Sequence, residues 1–263
     1  MNAHNSKSID ESIVETTTIF KLILSMVVFI VLCIITVVIY YKNDSLEYLP
    51  KGILIVFCCI LVYISYIFYE HKRIVSIIRY CEQNGLEYFL SKESIPNLNE
   101  KFYITFGEKY ISYNNIMLGE CSGINYSILD VEYISRIDKR KCTICILNKP
   151  GYSFLRFHIK PKTSFISRME DETIELDDKD FSKKLLLCGP NEYELKKYFS
   201  DPRIKKTFLF APRPSWNGFY YEFEASNEFF VVKPVAQILQ LNLNQRLELL
   251  NNSLTIYNAI THT

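Results

Sequence analysis

Cys142-Thr143-Ile144-Cys145 is the sharpest local motif in the chain. A redox pair needs its first cysteine at a helix N-terminus, where the dipole lowers the thiol pKa. Here the pair runs into Ile146-Leu147 and then Asn148-Lys149-Pro150-Gly151, which is a strand followed by a turn. Positions three apart in a strand face opposite ways. Cys121 and Cys188 supply no second pair for a zinc site. The motif therefore reads as packing. His158 is the only histidine of the folded polar region, with His71 beside an apolar run and His4 and His262 at the termini. No G-x-S-x-G, H-E-x-x-H or G-x-x-x-x-G-K-[ST] occurs, so His158 reads as a surface or satisfied histidine. Glu170, Asp171, Glu172, Glu175, Asp177, Asp178 and Asp180 form the densest charge run, but they lack the spacing of a calcium loop and read as a solvated connector. Arg136, Lys139, Arg140 and Lys141 make a basic hairpin tip. With Lys72 and Arg73 it could face anionic lipid headgroups, at about 1 kcal/mol per charge near such a surface. The plainer reading is a solvated turn that blunts strand pairing. Trp216, between Pro214 and the aromatic run Phe219-Tyr220-Tyr221, reads as core. No residue set calls for a metal or cofactor.

The elements that must position these residues follow an α+β order, with helix first, then strands, short helices, a hairpin and a last helix. Ile74, Ile77, Ile78 and Cys81 share one helix face, and Asn84-Gly85 supplies the left-handed stop. Ile116–Glu120 and Ile124–Ser135 flank a hairpin turn at Cys121-Ser122-Gly123. Asp138–Lys141 reads as a charged turn, Cys142–Leu147 as a strand, and Phe154–Ile159 as another that Pro161 ends. Together these make a mostly antiparallel sheet. Phe181–Cys188 reads as a strand, Glu192–Phe199 as a helix, and Asp201-Pro202 as a cap and first position of another. Gly218–Glu224 and Glu228–Lys233 form a hairpin. A last helix begins near Pro234, and the tail from Asn251 is expected to be loose.

Two apolar runs precede this domain, Leu22–Tyr41 and Gly52–Tyr69, and neither holds an Asp, Glu, Lys, Arg or His. As helices they would extend roughly 30 and 27 Å, which is bilayer thickness. They predict a transmembrane helical hairpin over residues 19–70, after a tail at 1–18 and before an α+β domain at 71–250 and a flexible tail at 251–263. Lys72, Arg73 and Arg79 follow the second run, so the excess of positive charge there places the large domain in the cytoplasm of a plasma or inner membrane. Eight scattered cysteines fit reduced thiols rather than a disulfide framework. A net charge of +1 leaves no global field for nucleic acid.

The segment Phe181–Glu192, with Tyr198-Phe199 and Ser215-Trp216, resembles a group of uncharacterised prokaryotic membrane proteins. The Gly119–Tyr133 hairpin and the Phe157–Pro161 strand end resemble the same group. That resemblance implies two N-terminal spans before a cytosolic α+β domain, and it implies no activity. The expected function is a non-enzymatic, membrane-anchored module that binds a protein or an anionic lipid. The alternatives are an enzyme with dispersed residues, in which a pocket would gather His158, Asp130 or the acidic connector, and an accessory subunit of a larger membrane complex that packs through Ser25, Thr36 and Ser65.

Overall fold

The computed structural model describes residues 49–91, 109–135, 138–162, 173–216, 220–235 and 240–261, together with 18–19, 21, 23–24, 27–35 and 38. The chain divides into two compact units, Met1–Tyr80 and Cys81–Thr263.

In the first unit, helical residues between 18 and 38 run antiparallel to a long helix, α1 (Leu49–Gln83). Phe29 meets Phe57 with ring centroids 6.2 Å apart, and the Thr18 hydroxyl lies 3.1 Å from His71 Nδ1. Large apolar side chains such as Ile23, Ile30, Ile34, Val62 and Phe68 are exposed. Even so, among the described residues no helix is long and apolar enough to cross a membrane. α1 does not stop at the end of its apolar run but continues through Glu70, His71, Lys72 and Arg73 to Gln83, side chains that are costly in hydrocarbon. The expected transmembrane hairpin is overturned by this finding, and with it the placement as an integral membrane protein. Leu22–Tyr41 is described only in part, and the rest of that run lies outside the described residues. The predicted stop is in place: α1 ends before Asn84-Gly85, where Gly85 has φ +66°.

The second unit is built on one antiparallel sheet of nine strands. They are β1 (Glu87–Ser91), β2 (Lys109–Cys121), β3 (Ile124–Ser135), β4 (Asp138–Asn148), β5 (Phe154–Pro161), β6 (Thr173–Ile174), β7 (Leu185–Cys188), β8 (Tyr221–Asn227) and β9 (Phe229–Pro234). Their order in the sheet is β1-β2-β3-β4-β9-β8-β5-β7-β6. The expected meander holds over β2, β3 and β4; β1 extends it beyond the expected strands, and β5, expected to follow β4, pairs with β7 and β8 instead. The β2–β3 turn is Ser122-Gly123 with φ +54° and +75°, the left-handed pair that a two-residue hairpin requires. Asp138–Lys141 is not a turn: it pairs along Ser135–Glu132, with Lys141 opposite Glu132. Opposite charges facing each other across two strands make good partners, which a one-dimensional reading scores as loop.

Among the described residues, four helices complete the unit: α2 (Lys179–Lys184), α3 (Glu192–Tyr198), α4 (Pro202–Leu209) and α5 (Leu243–Thr261). Asp201 caps α4 as expected, and Asn191 caps α3. The strand predicted over Phe181–Cys188 is half helix, because Asp178 caps Asp180 and Phe181 amides at 3.1 Å and starts α2. The last helix starts later than expected and continues through the tail. Asn242 and Gln245 form a reciprocal cap at 3.0 and 3.1 Å, and Ser253, Ile256, Tyr257 and Ile260 are buried. The core beneath α3 to α5 is aromatic: Phe157, Phe199, Phe208, Phe223, Phe230 and Tyr257 meet edge to face or tilted, with Phe223 stacked on Phe230. On the opposite sheet face, Leu129, Val131, Ile144, Ile146 and Val231 form a second, aliphatic cluster.

Candidate functional site

Three groups of polar side chains stand out in the second unit. The first is buried. Within β2 the register shifts between Asn114 and Met117, and Asn115 adopts φ +50°. The bulge re-aims this asparagine. Its amide donates to Asp130 Oδ2 at 2.8 Å and its side-chain oxygen accepts from the Tyr88 hydroxyl at 2.8 Å. Asp130 also accepts from the Thr143 hydroxyl at 2.6 Å and forms an ion pair with Arg246 of α5. The guanidinium donates further to the carbonyls of Leu241 at 3.2 Å and Asn115 at 3.1 Å, and the Leu241 amide returns to the Thr143 hydroxyl at 3.0 Å. Arg246, Asp130 and Thr143 are each 0% exposed, so no substrate reaches them. Their charges and hydrogen-bonding groups are spent on one another. That is what buried ions need in order to persist.

The second group spans β5, β8 and β9. His158 Nε2 lies 3.8 Å from Glu222 Oε2, which lies 2.8 Å from Lys233 Nζ, and Lys233 sits 4.9 Å from the Tyr133 ring centroid. Burial pushes the His158 imidazole below its ordinary value. Burial alone would raise the Glu222 carboxyl, but Lys233 and His158 outweigh it and bring it down to about 2. A neutral histidine beside a matched Glu–Lys pair is a stable arrangement. Asp130 and His158 do not share a pocket. Thr143 pairs with Asp130, and Cys145, on the same face as Thr143, pairs with Val232, Val232 with Phe223, and Phe223 with Ile159. Asp130 therefore shares its face with Ile159, and His158 points the other way. The gathered enzyme pocket considered from the sequence is absent for these two residues.

The third group is open to solvent. At one end of the sheet the last rung runs Glu120, Asn125, Asn148, Phe229 and Ser226 across β2, β3, β4, β9 and β8. Three turns border it. One is the Ser122-Gly123 hairpin. Another is Lys149–Tyr152, with Pro150 and Gly151 (φ +80°) at its centre and a 3.1 Å bond closing it. The last is Asn227-Glu228, with Asn227 at φ +50°. A groove of about 450 Å³ lies here, lined by Asn125, Ser127, Asn148, Pro150, Glu228 and Phe229 above a floor of Ile146. Glu120, Asn125 and Glu228 are exposed, and Ser127, Asn148 and Phe229 are half-buried. Among the described residues, the side chains of Glu120, Asn125, Ser127, Asn148 and Glu228 make no hydrogen bond or ion pair. This row was missed from the sequence. Asn125 follows a visible turn signal, but Asn148 and Glu228 join it only through the β3–β4 and β4–β9 register.

The residues expected at a lipid surface are described only in part. Lys72 is exposed, whereas Arg73 is 3% exposed and both its Nε and Nη2 contact Glu70, at 3.1 and 2.8 Å. Arg136 lies outside the described residues, as do the side chains of Lys139 and Arg140 in β4. Lys141 is exposed and pairs with Glu132 at 2.6 Å. Of the acidic run, Glu170, Asp171 and Glu172 lie outside the described residues, and Asp178 is committed to its cap and to Lys205 at 3.1 Å. Among the described residues no group of His, Cys, Asp and Glu could hold a metal ion. Cys142 and Cys145 sit in β4 opposite Val131 and Ile128, on the two faces of the sheet. Trp216 is half-buried, with its ring nitrogen unbonded. Comparison of the chain with family models, with curated proteins and with solved structures finds no match.

Proposed function

We propose that this chain is a non-enzymatic binding module whose partner is a protein, engaged through the groove at the end of the nine-stranded sheet. One observation carries the reading. In the groove a row of hydrogen-bonding side chains stands with no partner among the described residues beside an apolar floor, while the buried Arg246–Asp130 and Glu222–Lys233 charges are already paired with each other. Side-chain amides both donate and accept, so Asn125 and Asn148 suit the alternating N–H and C=O groups of an extended segment. Phe229 and Ile146 offer the apolar contact that a polar rim alone lacks. An anionic lipid is the less favoured partner, because the groove carries a carboxylate and Arg73 and Lys141 are held by Glu70 and Glu132.

The test is affinity capture of partners by the full chain from gently prepared extracts of its source cells, beside an N125A/N148A variant of unchanged thermal midpoint. The reading expects a stoichiometric partner that the variant loses. Identical profiles from the two proteins would overturn it. So would sedimentation with phosphatidylserine vesicles that depends on Lys72 or Lys141, or turnover abolished by a single side-chain change.

A further inference from the structure

We propose that Cys188 is a modification site, a thiol that hydrogen peroxide oxidises to a sulfenic acid with His158 as its base and Glu222 orienting that base. This goes beyond the groove and does not depend on it.

Strand register assembles the three residues. β7 and β8 are the two neighbours of β5 in the sheet. Cys188 of β7 pairs directly with His158 of β5, and His158 pairs on its other side with Glu224 of β8. Directly opposed residues share a face, with Cβ atoms roughly 5 Å apart. Glu222 lies two residues along β8 on that same face, and its Oε2 is 3.8 Å from His158 Nε2. The imidazole therefore has a carboxylate on one flank and a thiol on the other. A carboxylate facing Nε2 favours the proton there and puts the ring lone pair on Nδ1. A nucleophile beside a base that a third group orients is the arrangement that activates a thiol.

The surrounding charge does not oppose a thiolate. Lys233 sits 2.8 Å from Glu222, and Lys160 stands two residues from His158 on the same face of β5. Both ammonium groups act on the imidazole, and together they offset Glu222 and Glu224. Thiolates form beside such cations. Access separates Cys188 from the other buried thiols of the second unit. It is 8% exposed, against 1% for Cys81, 2% for Cys142 and 0% for Cys145. It is the last residue of β7, where the chain leaves the sheet. Peroxide is close to water in size and needs no wider opening.

The thiol proton passes to His158 Nδ1, and the sulfur attacks one peroxide oxygen. The O–O bond breaks, and the departing hydroxide takes that proton from the imidazolium and leaves as water. The sulfur gives up the two electrons that reduce the peroxide. Each chain consumes one equivalent, so the modification is stoichiometric.

Treating the full chain with hydrogen peroxide at neutral pH in the presence of dimedone, then reading the trapped cysteines by peptide mass spectrometry, tests this directly. Cys188 should be trapped before the exposed Cys121, with Cys142 and Cys145 left unmodified. H158Q should slow trapping at Cys188 on the order of a hundredfold, the low end of what a positioned base contributes. E222Q should slow it by less, and E222D should restore most of that loss. Trapping at Cys121 should be the same in every variant, and N-ethylmaleimide should remain slow at Cys188 in all of them, showing that none has opened the fold. Trapping of Cys121 before Cys188, or no adduct at Cys188, would overturn the inference whatever the variants do. So would an H158Q protein trapped at Cys188 as fast as the wild type.

Discussion

Arg246 in the C-terminal helix and Asp130 in the middle of β3 form an ion pair in which neither side chain is exposed. The pair joins positions 116 residues apart and holds α5 on the sheet face that also carries Thr143. Every available donor and acceptor around it is placed: Asn115 and Thr143 complete the carboxylate, and the carbonyls of Leu241 and Asn115 complete the guanidinium.

Removing one member of such a pair should cost far more than removing both. Arg246→Met leaves a carboxylate buried without its counter-charge, and about 3–5 kcal/mol of stability should be lost. Arg246→Met/Asp130→Leu should recover part of that loss, since well-packed apolar pairs replace buried ions at little net cost. Urea unfolding of the single and double variants measures the difference. A double variant no more stable than the sum of its singles would contradict the coupling.

Stability should fall in two stages as the solution is acidified. The His158 imidazole is held below its ordinary 6.5 by burial, so the unfolded chain takes up a proton first and stability begins to drop as pH falls through 6.5. The Glu222 carboxyl is held at about 2 against an ordinary 4.5, so its contribution is complete above 4.5 and is lost as pH falls from there toward 2. The second stage amounts to up to about 3 kcal/mol. His158→Gln should flatten the upper stage and Glu222→Gln the lower, as read from thermal midpoints across pH. A pH profile unchanged by both substitutions would refute the assignment.

Thiol reactivity should divide the cysteines by burial. Cys121 is exposed, whereas Cys142 and Cys145 are 2% and 0% exposed. Burial pushes the Cys145 thiol up to about 12, with a hydrogen bond to Ser253 only partly offsetting it. At neutral pH an alkylating reagent should label Cys121 within minutes and leave Cys142 and Cys145 untouched until denaturant is added. Mass spectrometry of the labelled peptides gives the order. Early, paired modification of Cys142 and Cys145 would restore a redox role to that motif.

Much of the local structure was legible because it is decided within a few residues. Gly85 ends α1, Ser122-Gly123 turns β2 into β3, Pro150-Gly151 turns the chain after β4, and Asn191 and Asp201 start their helices. The misread segments are those where local and distant preferences compete. Lys139 to Lys141 look like a turn alone but are strand opposite Glu132 to Ile134. The tail after Asn251 looks polar and loose, yet Ile256, Tyr257 and Ile260 bury one face of α5. The signals for α5 were present in Asn242-x-x-Gln245, a reciprocal cap, and in Arg246 set among leucines. The apolar runs, read by composition alone, suggested spans. The continuation of α1 through Glu70, Lys72 and Arg73 was the feature that composition of the run itself left out.

By itself, then, the sequence determined the α+β order of the second unit, the β2–β3 hairpin and the turns at Ser122-Gly123 and Pro150-Gly151, since backbone sterics and hydrogen bonds to the next few amides decide these. Only the tertiary structure decided which rungs align. Asn125, Asn148 and Phe229 become neighbours because β3 pairs β4 and β4 pairs β9, and His158 and Asp130 fall on opposite faces for the same reason. Side chains alternate with a period of two, so a slip of one residue in any pairing would send each to the other face. Register among distant strands is fixed by burial of the whole core, and no local window contains it.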